Sequence, residues 1–207
     1  RKIDLPHDWG IEGPFSRDLP GETGKLPWSG IGWYRKRFEL AAEEMDDRRL
    51  ELEFDGAMAH PLVWVNGQFV GGWVYGYTSF RLDITAAVRP GGNLVAVRLD
   101  NPPESSRWYP GAGLYRHVWL TNTPSLRFAP WGIRISTPQI ASDGSSTLAH
   151  VELEVEQLGA EIVACEVETE VFELDGSGML SSSAVCRSAR TALAVDPTVS
   201  ERSSRSH

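Results

Sequence analysis

Clustered basic residues, paired histidines and long apolar runs are all missing from this 207-residue chain. Its five histidines show no ligand spacing such as His-x-x-x-His, so we expect no metal site. The net charge is −8, and the longest basic cluster, Arg35-Lys36-Arg37, is expected on the solvated face of a strand. Nucleic-acid binding needs a larger basic patch. No apolar run approaches the roughly 20 residues of a transmembrane helix, and no signal peptide opens the chain. We therefore expect neither a nucleic acid nor a membrane as a partner.

Motifs of catalysis and of cofactor binding are absent as well. The chain has no Gly-x-Ser-x-Gly nucleophile motif. Gly111-Ala112-Gly113 begins like a dinucleotide-binding loop, but it lacks the third glycine and a following helix, so no cofactor is expected. Glu166, Glu168 and Glu170 alternate along one presumed strand, which is typical of a solvated face. Two catalytic carboxylates would have to converge on a substrate from separate strand ends. The sequence predicts no catalytic residue.

Cysteine is rare, since Cys165 and Cys186 are the only two. If residues 175–178 form a hairpin loop, the two cysteines lie nearly opposite each other on neighbouring strands, and a disulfide is geometrically possible. A register slip of one residue would place them on opposite faces of the sheet. Two free cysteines that pack as small hydrophobic side chains are the outcome we favour.

A two-residue alternation of apolar and charged side chains dominates the chain and predicts β-strands. The alternation is clear at residues 49–54, 79–84 and 150–156, where each run places charges on one face only. Between two further runs, Asn66-Gly67 predicts a type I′ hairpin. Residues 41–47 are expected to form a loop or a single helical turn. Short strands with such turns predict an all-β antiparallel sandwich.

The character of the chain changes near residue 123. We expect residues 1–123 to form a β-sandwich of the jelly-roll kind, which ends at the polar stretch before Pro124. Residues 124–195 predict an immunoglobulin-like sandwich, and because such a domain normally has about seven strands, we expect this one to be incomplete. Residues 196–207 have no apolar pattern and are expected to be disordered. The predicted strands of the second sandwich are residues 131–137, 148–158 and 161–174, with weaker ones near Val185 and at 193–195.

Eight tryptophans are the one unusual feature of the composition. Some of them are expected in the core. Others are candidates for sugar binding, because a flat apolar ring matches the C–H face of a pyranoside. Composition alone does not choose between the two.

Three segments, taken in order and spacing, resemble the family 2 glycoside hydrolases, which include β-galactosidases, β-glucuronidases and β-mannosidases. The match covers nearly all of residues 3–120. The segments are LPHDWGIEGPF at residues 5–15, GIGWYRK at 30–36, and residues 63–116 with VWVNG, YGYTSF and SRWYPGAGLYR.

This resemblance implies a domain order. Residues 1–123 would be the sugar-binding jelly roll, followed by an immunoglobulin-like sandwich and then a (β/α)₈ barrel with two catalytic glutamates of a retaining mechanism. This chain ends before any barrel, so the resemblance implies a non-catalytic front part of such an enzyme. Its ligand would be a carbohydrate, namely a β-glycoside, and its partner the missing catalytic barrel of the same polypeptide.

The resemblance also implies substrate contacts. In whole family members a loop of this domain reaches the barrel mouth and helps to hold the non-reducing sugar, and the matching residues here are Arg107, Trp108 and Tyr109. A guanidinium offers a rigid fork of donors for vicinal hydroxyls, and adjacent aromatic rings can stack on a sugar. The alternatives are an ion pair within the domain for Arg107 and loop packing for the two rings. Ser29 lies on a second loop that presents a polar contact in some β-galactosidases.

Three other motifs receive structural interpretations. His7-Asp8-Trp9 is expected to anchor the N-terminal segment, and the Tyr75-Gly76-Tyr77 turn is expected to be structural. Ala59-His60-Pro61 places a proline where only a strand start or an edge tolerates it, and the sequence assigns this motif no function.

Two other classes of function stay open. A free-standing, lectin-like carbohydrate-binding module would need an aromatic platform that is sufficient by itself. A structural interaction domain would use exposed tryptophans to dock a separate barrel chain or an oligomer partner. An incomplete second sandwich leaves an unpaired sheet edge, which favours a part of a larger enzyme over either alternative.

Overall fold

The structure is a computed structural model in which the chain is almost entirely β-strand and turn. Short 3₁₀ turns occur at Gly10–Glu12 and Ala42–Glu44, the latter where a single turn is predicted. In the part of the chain that the structure describes, no helix is long and apolar enough to cross a bilayer. The chain divides into two compact units, Arg1–Thr123 and Pro124–His207. The described residues are 1–19, 25–26, 28–103, 108–144, 147–158, 161–187, 191–195 and 201–206, with the backbone alone described for 182–187, 191–194 and 201–206.

The first unit is a sandwich of a four-stranded and a three-stranded sheet, with antiparallel pairing at the described ladders. Its strands run in the orders β1-β6-β3-β4 and β5-β2-β7, so strands consecutive in the chain lie in different sheets except β3 and β4, an arrangement that resembles a jelly roll. The strands are β1 (Gly30–Leu40), β2 (Arg48–Phe54), β3 (Leu62–Val65), β4 (Gln68–Gly72), β5 (Phe80–Asp83), β6 (Gly91–Asn101) and β7 (Val118–Pro124).

The core of this unit follows the predicted alternation. On β2, Leu50, Leu52 and Phe54 are buried, and the Phe54 ring stacks on Phe80 of β5 at 4.6 Å between centroids. On the opposite face of these two strands, Arg81 forms a 2.8 Å ion pair with Glu53. Apolar side chains therefore point between the sheets while charges pair on the outside, which confirms the period-two prediction.

The predicted hairpin is confirmed at Asn66-Gly67, which joins β3 to β4. Both residues have positive φ, 51° and 84°, as a type I′ turn requires. The Asn66 side chain donates to the Ala87 carbonyl at 2.9 Å and to Asn93 at 2.8 Å, and it accepts the Leu94 N–H at 3.0 Å. These bonds fix the hairpin against the start of β6.

The second unit consists of small sheets, β14-β9-β8, β10-β13 and β11-β12. Among its described side chains, Val155 and Val195 are the only buried hydrophobic ones. That this unit is an incomplete immunoglobulin-like sandwich stays a prediction. Its strands are β8 (Leu126–Ile140), β9 (Thr147–Gln157), β10 (Val163–Val167), β11 (Glu170–Leu174), β12 (Leu180–Arg187), β13 (Thr191–Val195) and β14 (Glu201–Ser206).

Two details of this unit differ from the sequence prediction. Residues 161–174, predicted as one strand, are β10 and β11, which pair with different partners. Their alternation continues across the break, so the pattern contains no sign of the change of partner. In the tail, predicted as disordered, β14 pairs with β9 from Glu201 opposite Val155 onwards. Backbone groups form that ladder, and a free sheet edge accepts a strand that has no apolar pattern.

The two cysteines lie in different strand pairs. Cys165 on β10 is opposite Leu193, whereas Cys186 on β12 is opposite Val171. The Cys165 thiol is free, which is the outcome that the sequence analysis favours.

Replacement of Phe54 by alanine tests the core assignment. Phe54 is fully buried, so Phe54→Ala should lower the free energy of unfolding by about 3–5 kcal/mol. Phe69, which is 54% exposed, is the matched control, and Phe69→Ala should change it by less than about 1 kcal/mol. Urea unfolding monitored by tryptophan fluorescence measures both. Equal effects of the two substitutions would contradict the assignment.

Candidate functional site

The carboxylate of Asp8 connects the N-terminal segment to the loop that follows β6. Its Oδ1 accepts hydrogen bonds from the Gly10 N–H at 2.8 Å, the Ala112 N–H at 3.1 Å and the Tyr109 hydroxyl at 2.6 Å. Burial, and then Asp8 itself, raise the pKa of Tyr109, so its hydroxyl stays protonated and donates. This arrangement confirms that His7-Asp8-Trp9 anchors the segment.

Backbone bonds on either side of Asp8 complete the anchor. The His7 N–H donates to Leu114 at 2.8 Å, and the Trp9 N–H donates to Ala112 at 2.9 Å. Gly113 lies between these partners with φ +121°, and a Cβ there would lie 2.6 Å from the His7 carbonyl. Only glycine allows this close approach.

Tyr34 of β1 holds the segment from the other side. Its hydroxyl lies 2.6 Å from Nδ1 of His7, whose Nε2 is 3.1 Å from Glu12. Arg1 pairs with the same Glu12 carboxylate, and this partner lowers the pKa of Glu12. Burial raises the pKa of Tyr34 to about 12.

Next to this anchor is an open depression with a volume of about 630 Å³. Trp108 lies on it, 61% exposed, and its indole N–H donates to the Tyr77 hydroxyl at 3.1 Å. The Tyr75 and Tyr77 rings meet edge to face at 5.6 Å. The other lining residues are Met58, Ala59, His60, Val74, Gly76, Pro102 and Pro110.

Gly76 explains why two tyrosines reach this depression. A Cβ at Gly76 would lie 2.6 Å from the Met58 sulfur, so the turn packs directly on the segment before β3. The Tyr115 hydroxyl donates to the Gly76 carbonyl at 2.8 Å, and this bond connects the turn to the loop after β6. Tyr77 contacts Trp108 from this turn, and the Tyr75 ring lies against Tyr77. Their structural role is as predicted, but the sequence analysis missed that they also line the depression.

Of the four residues predicted to contact sugar, the structure places only Trp108 among the described lining residues of the depression. Trp108 lines the depression with an exposed ring, whereas the Tyr109 hydroxyl is engaged by Asp8. Ser29 is exposed and immediately precedes Gly30, which pairs with Asn101 at the end of β6 where the loop to Trp108 begins. Arg107 lies outside the described residues. Sugar contact by any of these four side chains stays a prediction.

His60 is a further lining residue that sequence reasoning missed. It is exposed and has a left-handed backbone, with φ +46°. The available signal was the unusual Ala59-His60-Pro61 motif. Within the described ranges, no group of three or more His, Cys, Asp or Glu side chains is placed to hold a metal ion.

Chemically, the site offers exposed aromatic faces and few polar groups. A flat ring packs against C–H bonds, while an imidazole exchanges hydrogen bonds with hydroxyls. The depression therefore suits a ligand that is apolar on one face and rich in hydroxyls at its rim.

Known proteins resemble this chain in both sequence and fold. Residues 25–124 match the family described as glycosyl hydrolases family 2, sugar binding domain. The β-galactosidase BoGH2A of Bacteroides ovatus is 42% identical over 145 residues, which are 68% of this chain and 17% of that protein. The solved structure of a glycosyl hydrolase family 2 member from Bacteroides cellulosilyticus superimposes with a TM-score of 0.86 at 34% identity.

A more distant structure, the Bacteroides uniformis β-glucuronidase, has a TM-score of 0.80 at 24% identity and shows the fold alone. Both structures match over 100% of this chain, but the chain covers only 26% and 24% of theirs. The chain thus spans under a third of the length of these relatives.

The Asp8 anchor predicts a specific loss of stability. Asp8→Ala removes the common acceptor of three donors, so it should lower the free energy of unfolding by about 2–4 kcal/mol. Tyr109→Phe removes one of these bonds and should lower it by about 1 kcal/mol. The double variant should be no less stable than Asp8→Ala. Once Asp8 is replaced, the Tyr109 hydroxyl has already lost its acceptor, so its removal breaks no further bond. Additive effects, measured by urea unfolding, would contradict the proposed coupling.

Tyr34 predicts a dependence of stability on alkaline pH. Because its pKa is raised to about 12 from 10.0, its stabilising contribution is complete below pH 10 and is lost as the pH rises towards 12. Tyr34→Phe should be less stable than the wild type at pH 9, since it lacks the bond to His7, and the difference should shrink by pH 11.5. Urea unfolding at both pH values measures this. Parallel pH profiles of the two proteins would refute the prediction.

Proposed function

Because this chain belongs to glycoside hydrolase family 2, we propose that it forms the substrate-facing, non-catalytic part of a β-glycosidase that acts on a galactoside or a related sugar. The exposed aromatic depression around Trp108 carries this proposal. It lies on the sugar-binding domain, and the Asp8 anchor fixes the loop that presents it.

The role of this surface is to shape one side of the substrate pocket. Trp108 is bonded to Tyr77, so its ring is held in place without being buried. A ring that is rigid before the ligand arrives loses little conformational entropy on binding. Arg107, which precedes Trp108, and Ser29 would add hydrogen bonds to hydroxyls at the rim.

Hydrolysis itself would come from a catalytic barrel of the same polypeptide. Glu166, Glu168 and Glu170 are exposed along β10, β11 and their connection, which is typical of a solvated strand face. The proposed division of labour is a barrel that performs the chemistry and a sandwich that completes the pocket.

A second role, structural support, is favoured by the outer face of the four-stranded sheet. Trp33, Trp64 and Phe69 form a continuous aromatic stripe across β1, β3 and β4, with centroids 5.4 and 5.5 Å apart. Trp33 is 47% and Phe69 is 54% exposed. An apolar stripe of this kind is typical of an interface, and the remaining polypeptide of the enzyme is the partner that we propose for it.

A titration with sugars tests the proposed function. The chain should hydrolyse neither a chromogenic β-galactoside nor a chromogenic β-glucuronide. Methyl β-D-galactopyranoside should shift the NMR signal of the Trp108 indole N–H with a Kd of about 10 mM, a weak affinity that fits an incomplete pocket. Trp108→Ala should weaken binding about tenfold through lost stacking, whereas Trp119→Ala, outside the depression, should not.

Three other results would contradict this proposal or favour an alternative function. Turnover would contradict a non-catalytic role. Micromolar affinity that is lost in Trp108→Ala would favour the free-standing lectin-like module. Absence of any response to sugar would favour the structural interaction domain.

A further inference from the structure

We propose that His60 is a sugar-binding residue, whose imidazole exchanges a hydrogen bond with a hydroxyl of a pyranoside packed against Trp108. The inference rests on the proposed function, and it assigns a role to a motif that the resemblance leaves unexplained.

The backbone around His60 is held rigidly. Met58 and Gly113 exchange two hydrogen bonds of 2.9 and 2.7 Å, and the Ala59 carbonyl accepts the Asp100 N–H at 2.8 Å. The Pro61 carbonyl accepts the Trp73 N–H at 3.1 Å. Every residue from 57 to 61 is buried except His60. The segment is therefore packed into the domain while this one side chain is presented to solvent in the depression.

The conformation of His60 is unfavourable for a side chain with a Cβ. Its φ of +46° lies in the left-handed region, where a residue with a Cβ is less stable than glycine. Glycine would satisfy the same backbone without this cost. Among the described residues, the imidazole forms no hydrogen bond, ion pair or ring contact. Left-handed backbone also occurs at the exposed Asp47, but of the two residues only His60 lines the depression. The combination of strain, exposure and position in the depression points to a ligand.

The surroundings of the imidazole define the class of that ligand. The described lining contains no carboxylate, ammonium or guanidinium, and its Tyr77 hydroxyl is already bonded to Trp108. A neutral imidazole offers one donor and one acceptor, and a sugar hydroxyl can satisfy either. The neighbouring rings offer apolar faces for the C–H bonds of the same sugar. A pyranoside combines these two requirements.

Two variants and one control separate a ligand role from a structural role. His60→Gly and His60→Asn both tolerate positive φ but lack the imidazole. Asp47→Gly is the matched control, because Asp47 is also exposed and left-handed, with φ +49°, and does not line the depression. The probes are methyl β-D-galactopyranoside and methyl β-D-glucuronide, titrated into the full chain and followed at the Trp108 indole N–H. Urea unfolding measures the stability of each variant.

We expect both His60 variants to bind about tenfold more weakly than the wild type to whichever of the two sugars the wild type binds. A tenfold loss of affinity corresponds to the loss of one hydrogen bond. The stability of His60→Gly should match or exceed that of the wild type, and Asp47→Gly should leave sugar binding unchanged.

Wild-type affinity in both His60 variants would overturn this inference alone and leave the proposed function intact, provided that Trp108→Ala still weakens binding. A marked fall in stability with unchanged affinity would show that His60 is structural. If the wild type responds to neither sugar, this inference and the proposed function both fail.

Discussion

The hydrogen bonds that the Asp8 carboxylate accepts hold together the segments beside the depression. Asp8 is separated by about a hundred residues from Tyr109 and Ala112, yet its Oδ1 binds both. An ionised carboxylate can accept several donors, and bonds to a charged acceptor are among the stronger ones in proteins. The N-terminal segment and the loop after β6 are thereby fixed to each other. Without this acceptor, the loop that presents Trp108 would keep its backbone contacts and its bonds to the Tyr75–Tyr77 turn, but not its side-chain link to the N-terminal segment.

The exposed rings of Trp108 and Tyr77 are fixed by contacts with neighbouring segments of the domain. Trp108 is bonded to Tyr77, and the turn that carries Tyr77 packs through Gly76 on Met58. Met58 is in turn bonded to Gly113, which lies next to the Asp8 anchor. The sequence thus uses small residues at the contacts between segments and large residues at the surface. This arrangement combines close backbone packing with a wide aromatic face.

Sequence alone was sufficient wherever a local rule applied. The alternation on β2 predicted the buried Leu50 and Phe54, and Asn66-Gly67 predicted the hairpin, because both signals act over a few residues. The partner change between β10 and β11 and the pairing of β14 depend on contacts distant in sequence, so no local pattern contained them. Trp108 was predicted by resemblance. His60 was not, since the sign of φ is not visible in a sequence.

Several departures from the local rules occur together around the depression. His60 is left-handed without being glycine, and the large rings of Tyr75 and Trp108 are exposed at 56% and 61%. Conflicts of this kind lower stability, and their combination around one depression favours a role for these side chains beyond the fold. The outer-face stripe at Trp33 is exposed as well, and the Arg35 guanidinium lies 5.4 Å from the centre of the Trp33 ring. Aromatic exposure alone therefore does not separate a binding site from an interface, and the proposed contact at His60, which lies beside the rings of the depression, is the further feature that favours a binding site there.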